Sequence, residues 1–563
     1  MKKDFSGLKP IKVSVLGDTS TQFLTQALRG TGFDFGFDLQ ISEGDFNQIE
    51  QQVFDRNSDL YSHNPEIIIV FQSAHKFLEK YNKSHALLIN SLAKSELDDI
   101  IALINTIQKQ SSAKVIFYNY TEINDSVYGN FSSSTESSFL FQLRKLNYLL
   151  MEYAIENNNF HIVDLSTIQN QIGKSNFFKP SIYVNSEMVL SIDALPMIAK
   201  NTLDTIAAIN GTFKKCLILD LDNTTWGGII GDDGIENIQI GNLGIGKAFT
   251  EFQYWIKKLK NRGIIIAVCS KNTESIAKEP FEKHPDMVLK LDDISVFIAN
   301  WDSKVSNIQK IQSILNIGFD SMVFLDDNPF ERNIVRENIP QITIPELPED
   351  PAEYLEYLYA LNLFETVSVT DEDKERTKLY QQNAQRNLTQ LEFTNESDFL
   401  KSLNMRSNVD SFNKFNIPRV AQLSQRSNQF NLRTVRYSEI DIQNISQSPD
   451  YFTFAFTLED KFGDNGLISV VILNQKEKAL FIDTWFMSCR VLKRGMEQFI
   501  LNSIVDFAKE NEFKSIIGEY IMTPKNEIVK DHYENLGFYF EDGVWKLETE
   551  NYKKLETSIV KSN

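Results

Sequence analysis

The sequence predicts an α/β protein: two successive units in which strands alternate with helices, followed by a unit of α+β character. Three observations carry this. In the first third, short β-branched runs are separated by helical stretches, the pattern of a parallel sheet covered on both faces. From about Lys214 the same alternation begins again. Beyond residues 344–351, where three prolines favour extended backbone, two apolar runs flank the turn signal DKFGDNG at 460–466.

In the first unit the expected strands are 11–16 (IKVSVL), 66–71 (EIIIVF), 113–118 and 160–164, with helices at 19–28, 94–110 and 137–156. In the second, 216–220 (CLILD) is a short buried strand. Ala248, Phe249, Phe252, Trp255, Ile256 and Leu259 then recur at helical spacing. Strand 264–269, helices 273–283 and 304–315 and strand 322–325 complete it. Residues 351–390 read as helical and connecting. In the last part, strands 452–457, 467–473 and 478–487 precede an amphipathic helix over 493–509 and strand 515–521. The expected domains are 1–205, 206–350, a helical linker 351–390, and 391–563.

Composition excludes several classes. The 57 Lys+Arg against 76 Asp+Glu give a net charge of −19, which disfavours nonspecific binding to nucleic acid or an anionic membrane. No run approaches the ~18–20 apolar residues of a membrane span, and the basic start MKKDFSGLKP lacks the apolar stretch of a secretory signal. Three cysteines, Cys216, Cys269 and Cys489, form no CxxC pair and no disulfide framework, so a reducing, cytoplasmic setting is expected. Cys216 and Cys269 lie inside apolar strands and read as core. Six scattered histidines without HExxH argue against zinc.

The most informative stretch is Leu219-Asp220-Leu221-Asp222-Asn223-Thr224. Two aspartates two apart follow an apolar strand: either a charged strand end, or oxygen ligands of the kind that suit Mg²⁺. Ser270-Lys271-Asn272 follows the next apolar strand, Lys304 starts a helix, and Asp326-Asp327-Asn328 follows a third strand. In parallel sheets ligands bind at the carboxyl ends of strands. A nucleophilic Asp, a second Asp to manage the leaving-group proton, a hydroxyl, an ammonium and a divalent cation suffice for phosphoryl transfer.

In this order and spacing the residues resemble the haloacid dehalogenase-like phosphohydrolase superfamily. The resemblance implies Asp220 as nucleophile and Asp222 as general acid/base. It implies Ser270, Lys271, Asn272 and Lys304 around the phosphoryl group, and Mg²⁺ on Asp220, Asp326 and the Asp222 carbonyl, supported by Asp327. The flanking words are narrower: KKCLILDLDNTTWGGIIGDDG (214–234), Asn300-Trp301, FLDDNPFER (324–332), Asn428-Gln429-Phe430-Asn431, FMSCR (486–490) and Gly537-Phe538. Together they are similar to the FkbH-like proteins, subclass IIIC, with Thr225 where that family usually shows Leu. The family implies removal of phosphate from 1,3-bisphosphoglycerate and loading of a glyceryl unit onto the phosphopantetheine thiol of an acyl carrier protein. The alternatives are a stand-alone phosphatase of a small phosphorylated metabolite and a non-catalytic assembly protein. The intact Asp220, Asp222, Ser270, Lys304 and Asp326 set argues against the last. Only 34 residues separate Ser270 from Lys304 and a Gly-rich loop follows Asp222, so no large cap domain is expected.

The C-terminal part resembles a GNAT acyltransferase fold, in which a glycine-bearing turn at a helix start holds the pantetheine pyrophosphate. Only Gly495 fits a glycine position of that turn, and Lys493 stands at the other. Arg490, Lys493, Arg494 and Gly495 either meet a carrier-bound pantetheine phosphate or form a basic helix start in water. Cys489, in the same turn, is the candidate for a transient glyceryl thioester or a plain buried thiol. Asn526 and His532 sit near the last matching motif, and His532 reads as structural. At the N-terminus, Gly17-Asp18-Thr19-Ser20 after a strand is similar to the first block of SGNH hydrolases, implying an SGNH/flavodoxin-like shape. No complete triad accompanies it. Gln72, Ser73 and His75 either line a cleft there or are surface polars. Carrier docking and dimerisation remain open as roles of this domain.

Overall fold

Five parallel strands form the first sheet in the computed structural model: β1 (Lys9–Gly17), β2 (Phe37–Glu43), β3 (Ile67–Phe71), β4 (Lys114–Tyr118) and β5 (Phe160–Val163). Their order is β2-β1-β3-β4-β5. That is the flavodoxin-like order, with its reversal between β1 and β3. Side chains alternate between two cores. Ile67, Ile69 and Phe71 pack with helices Gln22–Gly32 and Leu195–Ile209. Ile68 and Val70 pack with helices Leu92–Gln110 and Phe139–Glu156. Strand β2 was not expected. Its sequence FDLQISE alternates apolar and polar because it is an edge strand, so it lacks the continuous apolar run of its buried neighbours.

The structure describes residues 7–369, 376–390, 393–427, 429–523 and 525–562, apart from the side chains of residues 376, 384, 385, 387, 388, 426 and 489. The chain forms two compact units, Met1–Ile209 and Asn210–Asn563. Among the described residues no helix is long and apolar enough to cross a membrane.

The second unit opens with a four-stranded parallel sheet: β6 (Cys216–Leu219), β7 (Ile265–Ser270), β8 (Val296–Ala299) and β9 (Met322–Leu325), in the order β8-β7-β6-β9. Leu217 and Leu219 pack beneath helix Gly244–Asn261, while Cys216 and Ile218 pack beneath helix Lys304–Leu315. Strand β8, VFIA, was missed because it is a half-buried edge strand of four residues. No inserted domain lies between β6 and β7 or between β7 and Lys304, all of which is described. The expected absence of a large cap is what the structure has. The stretch read as a linker contributes core: Tyr354, Leu358 and Phe364 join the β6–β7 cluster and Tyr380 the opposite one.

The rest of this unit is α+β. Its sheet runs β16 (Tyr539–Glu541), β17 (Val544–Glu548), β15 (Ser515–Gly518), β14 (Ala479–Met487), β13 (Gly463–Lys476), β12 (Tyr451–Asp460), β10 (Arg406–Ser407), β18 (Val560–Lys561), with β11 (Val409–Asp410) also on β12. The hairpin is tighter than expected: Asp460 pairs directly with Gly463, and the DNG segment lies in a bulged stretch of β13. Pairing is antiparallel except where β15 joins β14 and β18 joins β10. The helix begins at Met496, later than the expected 493, because Lys493 and Gly495 take left-handed φ of 62° and 77°. Gly tolerates this and Lys does not, so the turn keeps its shape at a local cost.

Candidate active site

Strand order reverses at β6: β7 and β8 lie on one side and β9 on the other. Ligands of open α/β sheets bind at the carboxyl ends of strands beside such a reversal. There β6 delivers Asp220, β9 delivers Asp326 and Asp327, β7 ends at Ser270, and Lys304 opens the helix after β8.

These residues converge. Carboxylate oxygens of Asp220, Asp326 and Asp327 lie within 4.8 Å of one another. Lys304 Nζ sits 2.6 Å from Asp220 Oδ1 and 2.9 Å from Asp326 Oδ2, and donates to the Cys269 carbonyl at 3.0 Å. Lys304 is 2% exposed and Asp326 is fully buried. Burial works against the Lys304 charge, but the two carboxylates prevail and raise its pKa. Burial and then the nearby Asp220 carboxylate push the Asp326 and Asp327 carboxyls up. Three clustered carboxylates of which two are strained toward protonation are a donor set that fits a hard divalent cation with oxygen ligands.

Asp222 belongs to a different cluster. Its Oδ1 accepts from Trp226 Nε1 and from the Ile230 N–H, each at 3.0 Å, and its Oδ2 accepts from Asn272 Nδ2 at 3.1 Å. Burial raises its pKa against these donors. The Asp222 side chain is therefore fixed toward the loop rather than into the carboxylate cluster, and any cation contact from this residue falls to its carbonyl. The loop is held locally. Asn223 takes a left-handed φ of 54°, a conformation its short polar side chain tolerates, and its Oδ1 accepts from Gly228 N at 2.9 Å. A Cβ at Gly228 would lie 2.7 Å from Asp233 Oδ2, with φ at +90°. Thr225 is satisfied where it is buried: its hydroxyl donates to the Asp220 carbonyl at 2.6 Å.

Three supporting residues were not singled out as site residues. Thr224 accepts from the Asp327 N–H at 2.9 Å and its hydroxyl donates to Asp327 Oδ1 at 3.2 Å. Arg332 Nη1 donates to the carbonyls of Asp326 and Asp327 at 2.8 and 2.7 Å. Trp226 supplies the indole donor. The available signal was the FLDDNPFER word itself, in which a buried Glu331-Arg332 pair sits on the inward helix face with Val335. Lys271 turns to Glu331 in an ion pair, away from the carboxylate cluster.

The C-terminal candidates separate. The side chain of Cys489 and residue Asn428 lie outside the described residues. Gly495 caps helix Met496–Glu510 without a side-chain bond, and Lys493 is exposed beside it. Arg494 points inward. Its Nη1 pairs with Asp460 Oδ2 at 3.3 Å and its Nη2 bonds Asn383 Oδ1 and the Arg490 carbonyl. Arg386 clasps the same Asp460 at 2.6 and 2.9 Å. Burial, and then Arg386, lower the Arg494 pKa to about 9. Of the basic residues in the turn, Arg494 is thus tied into the protein rather than presented to a ligand. Arg490 Nε donates to Ser488 Oγ at 3.2 Å.

Beside that turn, β14 and β15 pair only over Ala479–Ser515, Leu480–Ile516 and Phe481–Ile517, and then part. The gap is filled from within. Met487 N donates to Phe430 O at 3.0 Å, Leu432 N to Trp485 O at 3.1 Å, and Ile521 N to Leu432 O at 2.9 Å. Asn526 Nδ2 donates to the Asn431 and Ile521 carbonyls, each at 2.9 Å. His532 packs edge-on against Trp485 and Phe430, with ring centroids 4.5 and 5.0 Å away, and burial lowers its pKa to about 3.

Comparison with known proteins gives one strong likeness. Residues 12–207 match a family model described as FkbH, N-terminal domain. The chain is similar to a crystal structure of the N-terminal part of protein BF1531 from Bacteroides fragilis, containing a phosphatase domain and complexed with Mg. Identity is 56%, coverage 65% of this chain and 97% of that one, and TM-score 0.62. Two weaker likenesses concern about a quarter of the chain. The ribosomal-protein-S18-alanine N-acetyltransferase from Escherichia coli is 16% identical, covering 26% of this chain and 99% of that one, with TM-score 0.20. The GNAT domain of S. lividans PAT is 17% identical, covering 25% and 89%, with TM-score 0.20. At that level the strand order, not the likeness, defines the C-terminal fold. No curated protein matches the chain.

Proposed function

The chain belongs to the FkbH family, and from that premise we propose that its Asp220 centre is a Mg²⁺-dependent phosphohydrolase of the haloacid dehalogenase type. The substrate class is a phosphorylated glyceryl unit related to 1,3-bisphosphoglycerate. The observation that carries this reading is the convergence of Asp220, Asp326 and Asp327 around the buried Lys304 ammonium at a strand-end reversal.

In this reading an Asp220 oxygen attacks phosphorus and the bond to the leaving oxygen breaks, leaving an aspartyl phosphate. Asp222, steadied by Trp226, Ile230 and Asn272, gives a proton to that oxygen and then takes one from the water that hydrolyses the aspartyl phosphate. Ser270 and Lys304 hold phosphoryl oxygens. Asp220, Asp326 and Asp327, with the Asp222 carbonyl, would hold Mg²⁺, which supplies charge neutralisation for those oxygens. Asp220→Asn should keep the fold and abolish Mg²⁺-dependent phosphate release; retained release would remove the nucleophile assignment.

The second half of the proposal is transfer in a cytoplasmic setting. The Cys489 thiolate attacks the acyl-phosphate carbonyl, the carbonyl C–O bond breaks and that phosphate leaves; the Asp220 centre hydrolyses the remaining phosphate ester, and the glyceryl group passes to the phosphopantetheine thiol of an acyl carrier protein, releasing the Cys489 thiolate. The basic turn at Arg490, Lys493 and Gly495 supports a carrier-borne phosphate. The phosphatase-only reading is favoured by the inward Arg494 and by the gap between β14 and β15 being closed by residues 430–432. Intact-mass measurement after incubation with Mg²⁺ and 1,3-bisphosphoglycerate decides between them. An adduct absent in Cys489→Ala supports transfer. Asp220-dependent phosphate release without an adduct supports the phosphatase alone.

A further inference from the structure

Helix Phe139–Glu156 of the first unit is apolar on two opposite sides. Its inward face, with Phe139, Leu143, Leu146 and Leu150, fills the core beside β3 and β4. Its outward face carries Tyr148, Met151 and Ile155, which are 59%, 58% and 81% exposed. A helix covered on one side ordinarily shows charged and polar residues on the other. Here Arg144, Tyr148, Met151 and Ile155 recur at intervals of four, three and four, so they form one stripe. Val127 and Phe131, also exposed, lie on the segment leading into this helix, where Ser138 Oγ donates to the Ser132 carbonyl at 2.6 Å. Exposed apolar side chains scattered singly need no explanation, whereas a contiguous group of them marks a contact surface.

The charges beside the stripe identify what covers it. At 3.6 residues per turn, Lys145, Glu152 and Glu156 share one flank, and the other flank carries the uncharged Asn147 and Ala154. In an antiparallel pair of identical helices each flank meets the same flank of its partner; in a parallel pair it meets the opposite one. Antiparallel packing about a two-fold axis near Leu150 therefore sets Lys145 against the partner's Glu156, and Glu156 against the partner's Lys145. Neither residue has an ion-pair partner of its own among the described residues. The same register lays Tyr148 on the partner's Met151, a sulfur–aromatic contact. It lays the stem of Arg144, whose guanidinium is held by Glu122, on the partner's Ile155. Glu152 then faces a tyrosine rather than another carboxylate. The face is complementary to itself in stripe, register and charge, as an isologous contact requires.

We propose that helix Phe139–Glu156 is a dimerisation surface, on which a second copy of this chain packs its own helix antiparallel about a two-fold axis near Leu150. The inference does not rest on the phosphatase reading, since every residue it uses lies in the first unit.

Sedimentation equilibrium on the full chain tests it. Expected is a reversible rise from one chain mass to two across the micromolar range. Met151→Lys, a change on the solvent face that leaves the core intact, should weaken dimerisation about thirtyfold or more, because it buries a charge at the centre of the contact. Lys145→Glu should weaken it about threefold or more, and Lys145→Glu with Glu156→Lys should restore it, since each dimer holds that pair twice. Orientation is read with a short bismaleimide. Met151→Cys should cross-link to its own copy, whereas Ile155→Cys should not, its copies lying about 16 Å apart along the axis. The natural chain serves as control for Cys489. A chain that stays monomeric at every concentration, or a dimer undiminished in Met151→Lys, overturns the proposal. Ile155→Cys cross-linking as readily as Met151→Cys overturns the antiparallel arrangement.

Discussion

Lys304 bridges Asp220 and Asp326, with its Nζ 2.6 Å from one carboxylate and 2.9 Å from the other. Without it, buried like charges from β6 and β9 would face each other uncompensated. Lys304→Met should therefore lower stability by about 3–5 kcal/mol in the absence of metal, the usual cost of stranding a buried charge. Added Mg²⁺ should raise the melting temperature of the variant more than that of the natural protein, because the cation then replaces the lost ammonium. Equal Mg²⁺ shifts in paired thermal melts would contradict this.

The indole of Trp226 holds Asp222 Oδ1 at 3.0 Å. Trp226→Phe keeps the ring in its buried place but removes the donor. Phosphate release should fall about tenfold or more in kcat, the range for one hydrogen bond to a charged group, with KM little changed. Steady-state kinetics with a small phosphate ester checks the split. A pure KM effect would place Trp226 at the substrate instead.

Asp460 answers two guanidinium groups, Arg386 and Arg494, inside the second unit. Asp460→Asn should cost about 3–5 kcal/mol, since two buried cations lose their carboxylate. Arg494→Met should likewise act on the urea midpoint rather than on affinity for a carrier protein. A variant of normal stability that fails only in carrier binding would return Arg494 to the ligand.

His532 is buried unprotonated, with its pKa lowered by burial to about 3 against 6.5 for a free ring. Below pH 6.5 the unfolded chain binds a proton there that the folded chain refuses. Stability from this site therefore falls as pH drops from 6.5 toward 3, by up to about 1.4 kcal/mol per pH unit. His532→Phe should flatten the slope of stability between pH 7.5 and pH 5 in urea titrations. An unchanged slope would show that the ring takes up its proton in the folded state.

The carboxylate centre was legible because each of its residues sits directly after an apolar strand run, and a strand end is fixed by local pattern. Asp220, Ser270 and Asp326 needed only three runs in the right order to be placed on one edge of a sheet. Strands β2 and β8 were not legible, because edge strands mix polar and half-buried positions and resemble loops. Lys493 was read as a departure from a glycine pattern, and the left-handed φ it adopts shows the turn geometry surviving that departure.

By itself, then, the sequence determined the alternation of strands and helices, the residue types at the strand ends and the chemistry those types permit. Only the tertiary structure decided which groups meet. It turned Asp222 toward Trp226 and Asn272, drew Arg494 inward to Asp460, and set residues 430–432 between β14 and β15. The physical reason is range. Period and propensity act over a few residues, whereas the partner of a buried charge or an open strand edge is chosen by packing between segments that in these cases lie from about thirty to about ninety residues apart along the chain.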